Sequence, residues 1–159
     1  MRYILQLIYY CITFSLVCVL VRGRKPINIL CFHPKESQER AFELGLTDKK
    51  TMIFKRNVIL LIMALVMTLN LYFIIRIWNK AEDFKTVFYQ ALFFLQLWNV
   101  YDGIIMDKLW AEVNDFWMIP ELKDMWAIPD WLAVFKKRLP YIPLLLLFAF
   151  IAARLFPLF

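Results

Sequence analysis

Four stretches of about 19 mostly apolar residues dominate this sequence, at 3–21, 57–75, 87–106 and 141–159. A helix of that length rises about 1.5 Å per residue and crosses roughly 30 Å of hydrocarbon. Hydrophobic residues make up 62% of the 159 positions, whereas an ordinary soluble domain is about half apolar. We therefore predict an all-α integral membrane protein, a single membrane domain of four transmembrane helices over 1–159.

The positive charge is concentrated between the first two apolar stretches. Nine of the 19 Lys and Arg residues lie in segment 22–56. Basic loops stay on the cytoplasmic side of a membrane and attract anionic lipid. Segments 22–56 and 107–140 are therefore predicted to be cytoplasmic and to carry interfacial helices, with both termini outside. A nucleic-acid partner is not expected, because the basic patch adjoins apolar spans.

Both predicted cytoplasmic segments contain helix signals. In the first, Pro34 suits the start of a short helix, Gly45 its left-handed end, and Thr47 the N-cap of a second helix that enters the membrane. In the second, apolar residues recur at helical spacing over 109–117, which predicts an amphipathic helix lying at the interface. Pro120 and Pro129 are expected to break the chain after it.

Polar side chains form a stripe on the third apolar stretch. Gln96, Asn99 and Asp102 are three residues apart, so they share one helix face. A carboxylate within a membrane span needs a partner, a proton or water. In a structural role Asp102 would bond Asn70, Tyr101 or an Arg of the first cytoplasmic segment. In a functional role it would act as an acid, a base, a proton carrier or a cation ligand.

Other chemistry-bearing residues are expected at the same cytoplasmic side. Asp107 follows Asp102 by five residues, which places the two carboxylates about 140° apart on an ideal α-helix. His33 is the only histidine, and its ordinary pKa suits proton transfer near neutral pH. The candidate acid and base residues are thus Asp102, Asp107 and His33. The candidate substrate-binding residues are Asn99, Gln96, Glu39 and Arg40, with Arg40 holding an anionic head group.

The sequence contains no motif that assigns a cofactor or a metal to this protein. The chain has three glycines and no Gly-rich phosphate loop, nucleophile elbow or HExxH sequence. Cys31 and His33 are at most half of a metal site, and no second ligand pair follows in sequence. The three cysteines include no CxxC pair and imply no disulfide framework. No metal is predicted, and the cofactor stays unknown.

Several short blocks of the sequence resemble a small bacterial membrane-protein family of unknown function. They are His-Pro at 33–34, Gln-Glu-Arg-Ala at 38–41, Leu-Gly-Leu-Thr at 44–47, Asn99 to Asp102 with Asp107, Ile-Pro-Glu at 119–121, and Asp-Met at 124–125. The resemblance implies four spans in a bacterial cell membrane. That family continues Ile-Pro-Gly-Thr-Glu and ends in a Tyr, Asp and His group, whereas this chain lacks the Gly-Thr and has no His after Asp130.

Three functions fit these observations. The first is a membrane enzyme that acts on a lipid or another apolar substrate at the cytoplasmic leaflet. The second is a non-catalytic subunit that binds anionic lipid, a membrane partner protein or a second copy of itself. The third is a transport element whose polar stripe lines a path along the third span. Four spans of this length enclose little space, so transport would need an oligomer.

Overall fold

The protein is described by a computed structural model that covers residues 2–113, 115–126 and 128–158. Within these residues the regular structure is entirely helical. The α-helices are α1 (Arg2–Arg22), α2 (Lys35–Glu43), α3 (Lys49–Tyr72), α4 (Phe84–Tyr101), α5 (Trp110–Val113), α6 (Trp131–Arg138) and α7 (Tyr141–Leu155). The 3₁₀ segments are Pro26–Phe32, Asp115–Trp117, Pro120–Met125 and Phe156–Leu158. The predicted all-α class is confirmed.

Three helical stretches are long and apolar enough to cross a membrane: Arg2–Arg22, Lys49–Trp78 and Trp131–Leu158. They present rows of large apolar side chains outward, Leu20 and Leu61 among the most exposed. Soluble proteins rarely expose apolar surface so extensively. The third predicted span, 87–106, is not among the three, because two glutamines, an asparagine and Asp102 interrupt its apolar sequence.

The main core lies where α1, α3, α4 and α7 pack together. Tyr10, Phe14 and Phe94 are its largest fully buried aromatic side chains. Helices α4 and α7 run antiparallel and pack most closely. Both helices bury alanines, whose small side chains allow the two backbones to approach each other closely.

Two helices change to π-helical winding at one end. Helix α3 continues as Phe73–Trp78 and α4 continues as Asp102–Leu109. In each segment a backbone N–H bonds the carbonyl five residues earlier, as Asn79 does to Ile74 and Trp110 to Ile105. Such bulges rotate the side chains that follow and are frequent at functional sites.

A second, smaller core joins the two predicted cytoplasmic segments. It is formed by Leu30, Ala41, Met52, Ile119 and Leu122. The first segment thus folds against the second.

The local helix signals of the first segment are borne out except at one cap. Gly45 has a φ of +66° and follows the end of α2, as predicted. The N-cap of α3 is Asp48, whose carboxylate accepts a hydrogen bond from the Thr51 N–H at 2.9 Å. The prediction of Thr47 was therefore wrong by one residue.

The separate amphipathic helix predicted over 109–117 is not seen. Its first residues continue α4 through the π-helical segment into α5, and Asp115–Trp117 forms a 3₁₀ turn. Asn114 lies outside the described residues. The aromatic rings of Trp110, Phe116 and Trp117 nevertheless pack together, with centroids 4.7 to 5.9 Å apart.

Candidate functional site

The most polar contact in the bundle is a cluster of two acids and two bases between α4 and α6. One guanidinium nitrogen of Arg138 donates to Asp102 and the other donates to Asp107. The Lys137 Nζ lies 2.9 Å from the same oxygen of Asp107. Asp102, Asp107, Lys137 and Arg138 are hereafter the acid–base cluster.

The π-helical segment is what brings the two carboxylates onto one side. On an α-helix, residues four apart share a face, whereas i to i+5 bonding places residues five apart there. Asp102 opens the segment Asp102–Leu109, and Asp107 follows it by five residues. The separation of about 140° that holds for an ideal α-helix therefore does not apply to this segment.

The cluster balances its own charge. The side chains of Arg138, Asp102 and Asp107 are only 15%, 21% and 20% exposed, so water solvates their charges poorly. Two carboxylates face one guanidinium and one ammonium group. Removing one partner from such a group leaves a buried charge without compensation. The arrangement suits a helix clamp and leaves neither acid free as a proton donor.

The partner of Asp102 differs from all those predicted. Among the described residues, neither Asn70, Tyr101 nor an Arg of the first segment forms a hydrogen bond or ion pair with its carboxylate, whereas Arg138 of the second segment does. The Tyr101 hydroxyl instead lies 2.7 Å from the Ser15 hydroxyl of α1. The sequence offered a signal for Arg138, since it was part of the basic cluster 136–138 beside the last span.

Gln96 and Asn99 contact the backbone of the following helix. The Gln96 side chain donates to the Ile142 carbonyl at 3.1 Å, and that of Asn99 donates to the Arg138 carbonyl at 3.4 Å. The chain bends here, and the Ile142 N–H bonds Leu139 at 3.1 Å. The Arg138 carbonyl thus loses its helical donor, and Asn99 replaces it. Gln96 and Asn99 of the polar stripe therefore face protein.

Gly103 allows α6 to approach α4. A Cβ atom at this position would lie 3.1 Å from Arg138 Cγ and 3.2 Å from Val134 Cγ1. Both distances are shorter than ordinary van der Waals contact. A residue without a side chain is therefore part of the geometry that lets Arg138 reach both acids.

A shallow groove runs beside the acid–base cluster. It has a volume of about 190 Å³ and lies between α4 and the α6–α7 bend. Its walls are mostly apolar, with Gln96, Asn99 and Arg138 contributing the polar groups. An acyl chain or another apolar ligand beside the cluster would occupy this groove.

His33 lies at a different place. Its ring packs on Trp126, with centroids 5.5 Å apart. Burial lowers the pKa of His33, and a hydrogen bond to the Trp117 backbone partly opposes that effect. Among the described residues, no hydrogen bond, ion pair or ring contact joins His33 to Asp102. The structure therefore does not assemble the two as an acid–base pair.

Arg40 and Glu39 are exposed on α2. Arg40 pairs with Glu43 at 3.2 Å, and neither residue of that pair is buried. An exposed pair of this kind contributes about 0–1 kcal/mol. The binding of an anionic head group by Arg40 stays a prediction.

Asn70 does not form the interhelical bond that we predicted. It is buried at 6% exposure, and neither its amide nitrogen nor its amide oxygen has a partner among the described residues. Hydrogen bonds between side-chain amides of different helices occur elsewhere. The Asn79 amide exchanges hydrogen bonds with Gln6, at 2.6 and 3.2 Å, and donates to Gln90 at 2.8 Å.

This group of Gln6, Asn79 and Gln90, the amide triad, was missed from the sequence. Each residue stood near the end of its apolar stretch and was separated from the others by at least 11 positions. The signal was an amide close to the end of three successive spans. Long polar side chains at such depth are found bonded across helices.

No metal or cofactor site can be assigned. Within the described ranges, no three His, Cys, Asp or Glu side chains are grouped to hold a metal ion. Asp102 and Asp107 would be the natural oxygen ligands for a hard cation, but Arg138 and Lys137 already occupy them.

Comparisons with known proteins give no relative. The chain matches no protein-family model, no curated protein and no solved structure. The resemblance to a bacterial membrane-protein family therefore stays a prediction.

Proposed function

We propose that this protein is a non-catalytic, multi-pass membrane subunit that binds anionic lipid through segment 22–56. In this proposal α4 crosses the membrane as the third of four spans, the two segments 22–56 and 107–140 face the cytoplasm, and both termini lie outside. The charge distribution carries the proposal. The two acids that follow α4 are paired within the protein, whereas four cations of the first segment are exposed and form no ion pair with a described residue.

Those cations differ from the ones in the acid–base cluster. Lys35, Lys49, Lys50 and Arg56 are exposed, and none forms an ion pair with a described residue. Each Lys or Arg near a lipid surface contributes about 1 kcal/mol of attraction to anionic lipid. Exposed Phe54 stands among them on α3 and offers an apolar contact to the acyl region.

The test compares the purified protein in bilayer discs of phosphatidylcholine with discs that also contain phosphatidylglycerol. Anionic lipid is expected to raise the melting temperature of the protein. The triple substitution of Lys35, Lys49 and Lys50 to Gln should remove most of that increase. Equal melting temperatures in both lipids would contradict the proposal.

A lipid-modifying enzyme is a second candidate, favoured by the groove beside Asp102. Its apolar walls and its Gln96 and Asn99 amides suit an acyl chain and a polar group. In this alternative Arg138 would release one of its two carboxylate partners and bind the substrate in its place. Asp102→Asn would then abolish turnover of a lipid while the folded state persists. The non-catalytic proposal expects Asp102→Asn to change stability and to leave lipid composition unaltered.

A further inference from the structure

A second cavity, distinct from the groove beside Asp102, opens between the two cytoplasmic segments. It has a volume of about 310 Å³. Residues 24–27 line one side, 119–121 line another, and Leu46 completes the lining. We call it the loop cleft. It begins two residues after α1 ends at Arg22, which places it at head-group level in the proposed topology.

The lining of the loop cleft combines opposite charges with apolar surface. Arg24 and Lys25 are on the first side and Glu121 is on the second. All three are exposed, and no ion pair joins them to one another or to another described residue. Their charged groups are thus more than 4.0 Å apart. Two cations and a carboxylate share one cavity and leave a gap between them.

A ligand that carries an anion and a cation a short distance apart would fill that gap. Arg and Lys are strong donors to phosphate oxygens. A carboxylate accepts hydrogen bonds from a primary ammonium group. The apolar side chains of Ile27, Leu46 and Pro120 suit the glycerol and first acyl carbons of a lipid.

From this juxtaposition we propose that the loop cleft binds the head group of an aminophospholipid. Arg24 and Lys25 hold the phosphate and Glu121 holds the primary ammonium group. The inference rests on the proposed placement of segment 22–56 at the membrane surface. It goes beyond that proposal because it names a single site and a zwitterionic ligand, whereas general attraction to anionic lipid needs neither.

Choline and ethanolamine lipids provide a matched pair of probes. Both carry the same phosphate, but the choline ammonium has no N–H to donate. The full-length protein in detergent is titrated with phosphatidylethanolamine, phosphatidylcholine or phosphatidylglycerol, and bound lipid is counted by native mass spectrometry. A lost charge-assisted bond of about 1.4 kcal/mol corresponds to a tenfold change in affinity. We expect the ethanolamine lipid to bind about tenfold more tightly than the choline lipid.

Three variants separate the roles of the cleft residues. Glu121→Gln should remove the preference for ethanolamine over choline. The double variant Arg24→Gln, Lys25→Gln should weaken both lipids. The matched control Lys80→Gln, Lys85→Gln removes the same charge from exposed residues outside the cleft and should leave the preference unchanged. Melting temperatures verify that each variant is folded.

Soluble probes distinguish the lipid from its head group alone. Phosphoethanolamine and inorganic phosphate at matched concentration should not displace the bound lipid, because they lack the apolar contacts. Displacement by either one would overturn the assignment to a membrane lipid.

Two results would overturn the inference outright. One is equal affinity for the ethanolamine and choline lipids. The other is preferred binding of phosphatidylglycerol that becomes tighter in Glu121→Gln, which would assign the cleft to anionic lipid. Neither depends on the earlier test, because the response of the melting temperature to anionic lipid is lost with Lys35, Lys49 and Lys50, not with Glu121.

Discussion

The helix bundle has a cluster of polar side chains near each of its ends, and the two clusters consist of different chemical groups. At one end the amide triad links α1, the residue after the π-helical end of α3, and α4 through neutral side chains. At the other, the acid–base cluster links α4 to α6 through ion pairs. A neutral amide loses less free energy on leaving water than a charge does, and a buried charge must be matched by a partner. A substitution at the amide end should therefore cost less stability than one at the charged end.

The substitution Arg138→Gln should have the largest effect. It leaves the partly buried carboxylates of Asp102 and Asp107 with only Lys137 for compensation. Breaking a buried ion pair costs about 3–5 kcal/mol in free energy of unfolding. Unfolding in detergent micelles measures the loss, with Lys136→Gln, an exposed neighbour, as the control.

The acids themselves supply a rescue for that variant. Adding Asp102→Asn and Asp107→Asn to Arg138→Gln removes the uncompensated charges, so the triple variant should be more stable than Arg138→Gln alone. A loss below about 1 kcal/mol for Arg138→Gln, the range of exposed pairs, would show that the cluster is solvated.

Gly103→Ala should have the next largest effect and tests the close approach behind the cluster. The added methyl group meets Val134 and Arg138, and overpacking costs about 1–3 kcal/mol, partly offset by the helix propensity of alanine. The same substitution in a Val134→Ala background should cost less, because one of the two close contacts is gone. Equal costs in both backgrounds would mean that α6 moves away freely.

Asn79→Leu tests the amide end and should have a smaller effect than Arg138→Gln. It leaves Gln6, which is fully buried, without its hydrogen-bond partner. Interhelical hydrogen bonds in membranes contribute about 0.6 kcal/mol on average, and an unpaired amide adds to that loss. We expect about 1–2 kcal/mol by the same unfolding assay. A loss as large as that of Arg138→Gln would abolish the distinction between the two ends.

The smallest expected effect is a pH dependence due to His33. Burial holds its pKa below the ordinary value of 6.5. The unfolded state then binds the proton more readily, so stability is complete above pH 6.5 and falls as the pH drops below it. His33→Gln should flatten the melting temperature between pH 7 and 5. An unchanged slope would assign the dependence to other groups.

Much of the helical organisation could be predicted because it depends on nearby residues. Apolar length located the helices, and Gly45 marked the end of α2. The N-cap of α3 was predicted one residue too early because Thr47 and Asp48 are both good caps, and in the structure the Asp48 carboxylate forms the cap. The amphipathic helix after residue 107 was placed apart from α4 because periodicity alone does not reveal whether two helices are continuous.

The acids and amides of the candidate site were predicted from the sequence, but its basic members Lys137 and Arg138 and its connections were not. The polar stripe of Gln96, Asn99 and Asp102 follows from a spacing of three residues. Its partners lie about 40 positions later in the chain, on the far side of two prolines. Asp102 and Asp107 can share Arg138 because the chain between them is π-helical, and no local sequence signal predicted that winding.

By itself, then, the sequence determined an all-helical chain with long apolar stretches, a basic first segment and an acid that needed a partner. These properties follow from composition and from the 3.6-residue period of a helix. Only the tertiary structure decided which partner Asp102 has, that the Asn70 amide has no partner among the described residues, and that Arg24, Lys25 and Glu121 share a cleft. Such contacts join residues distant in the chain, and their geometry depends on how the helices wind and bend before they meet.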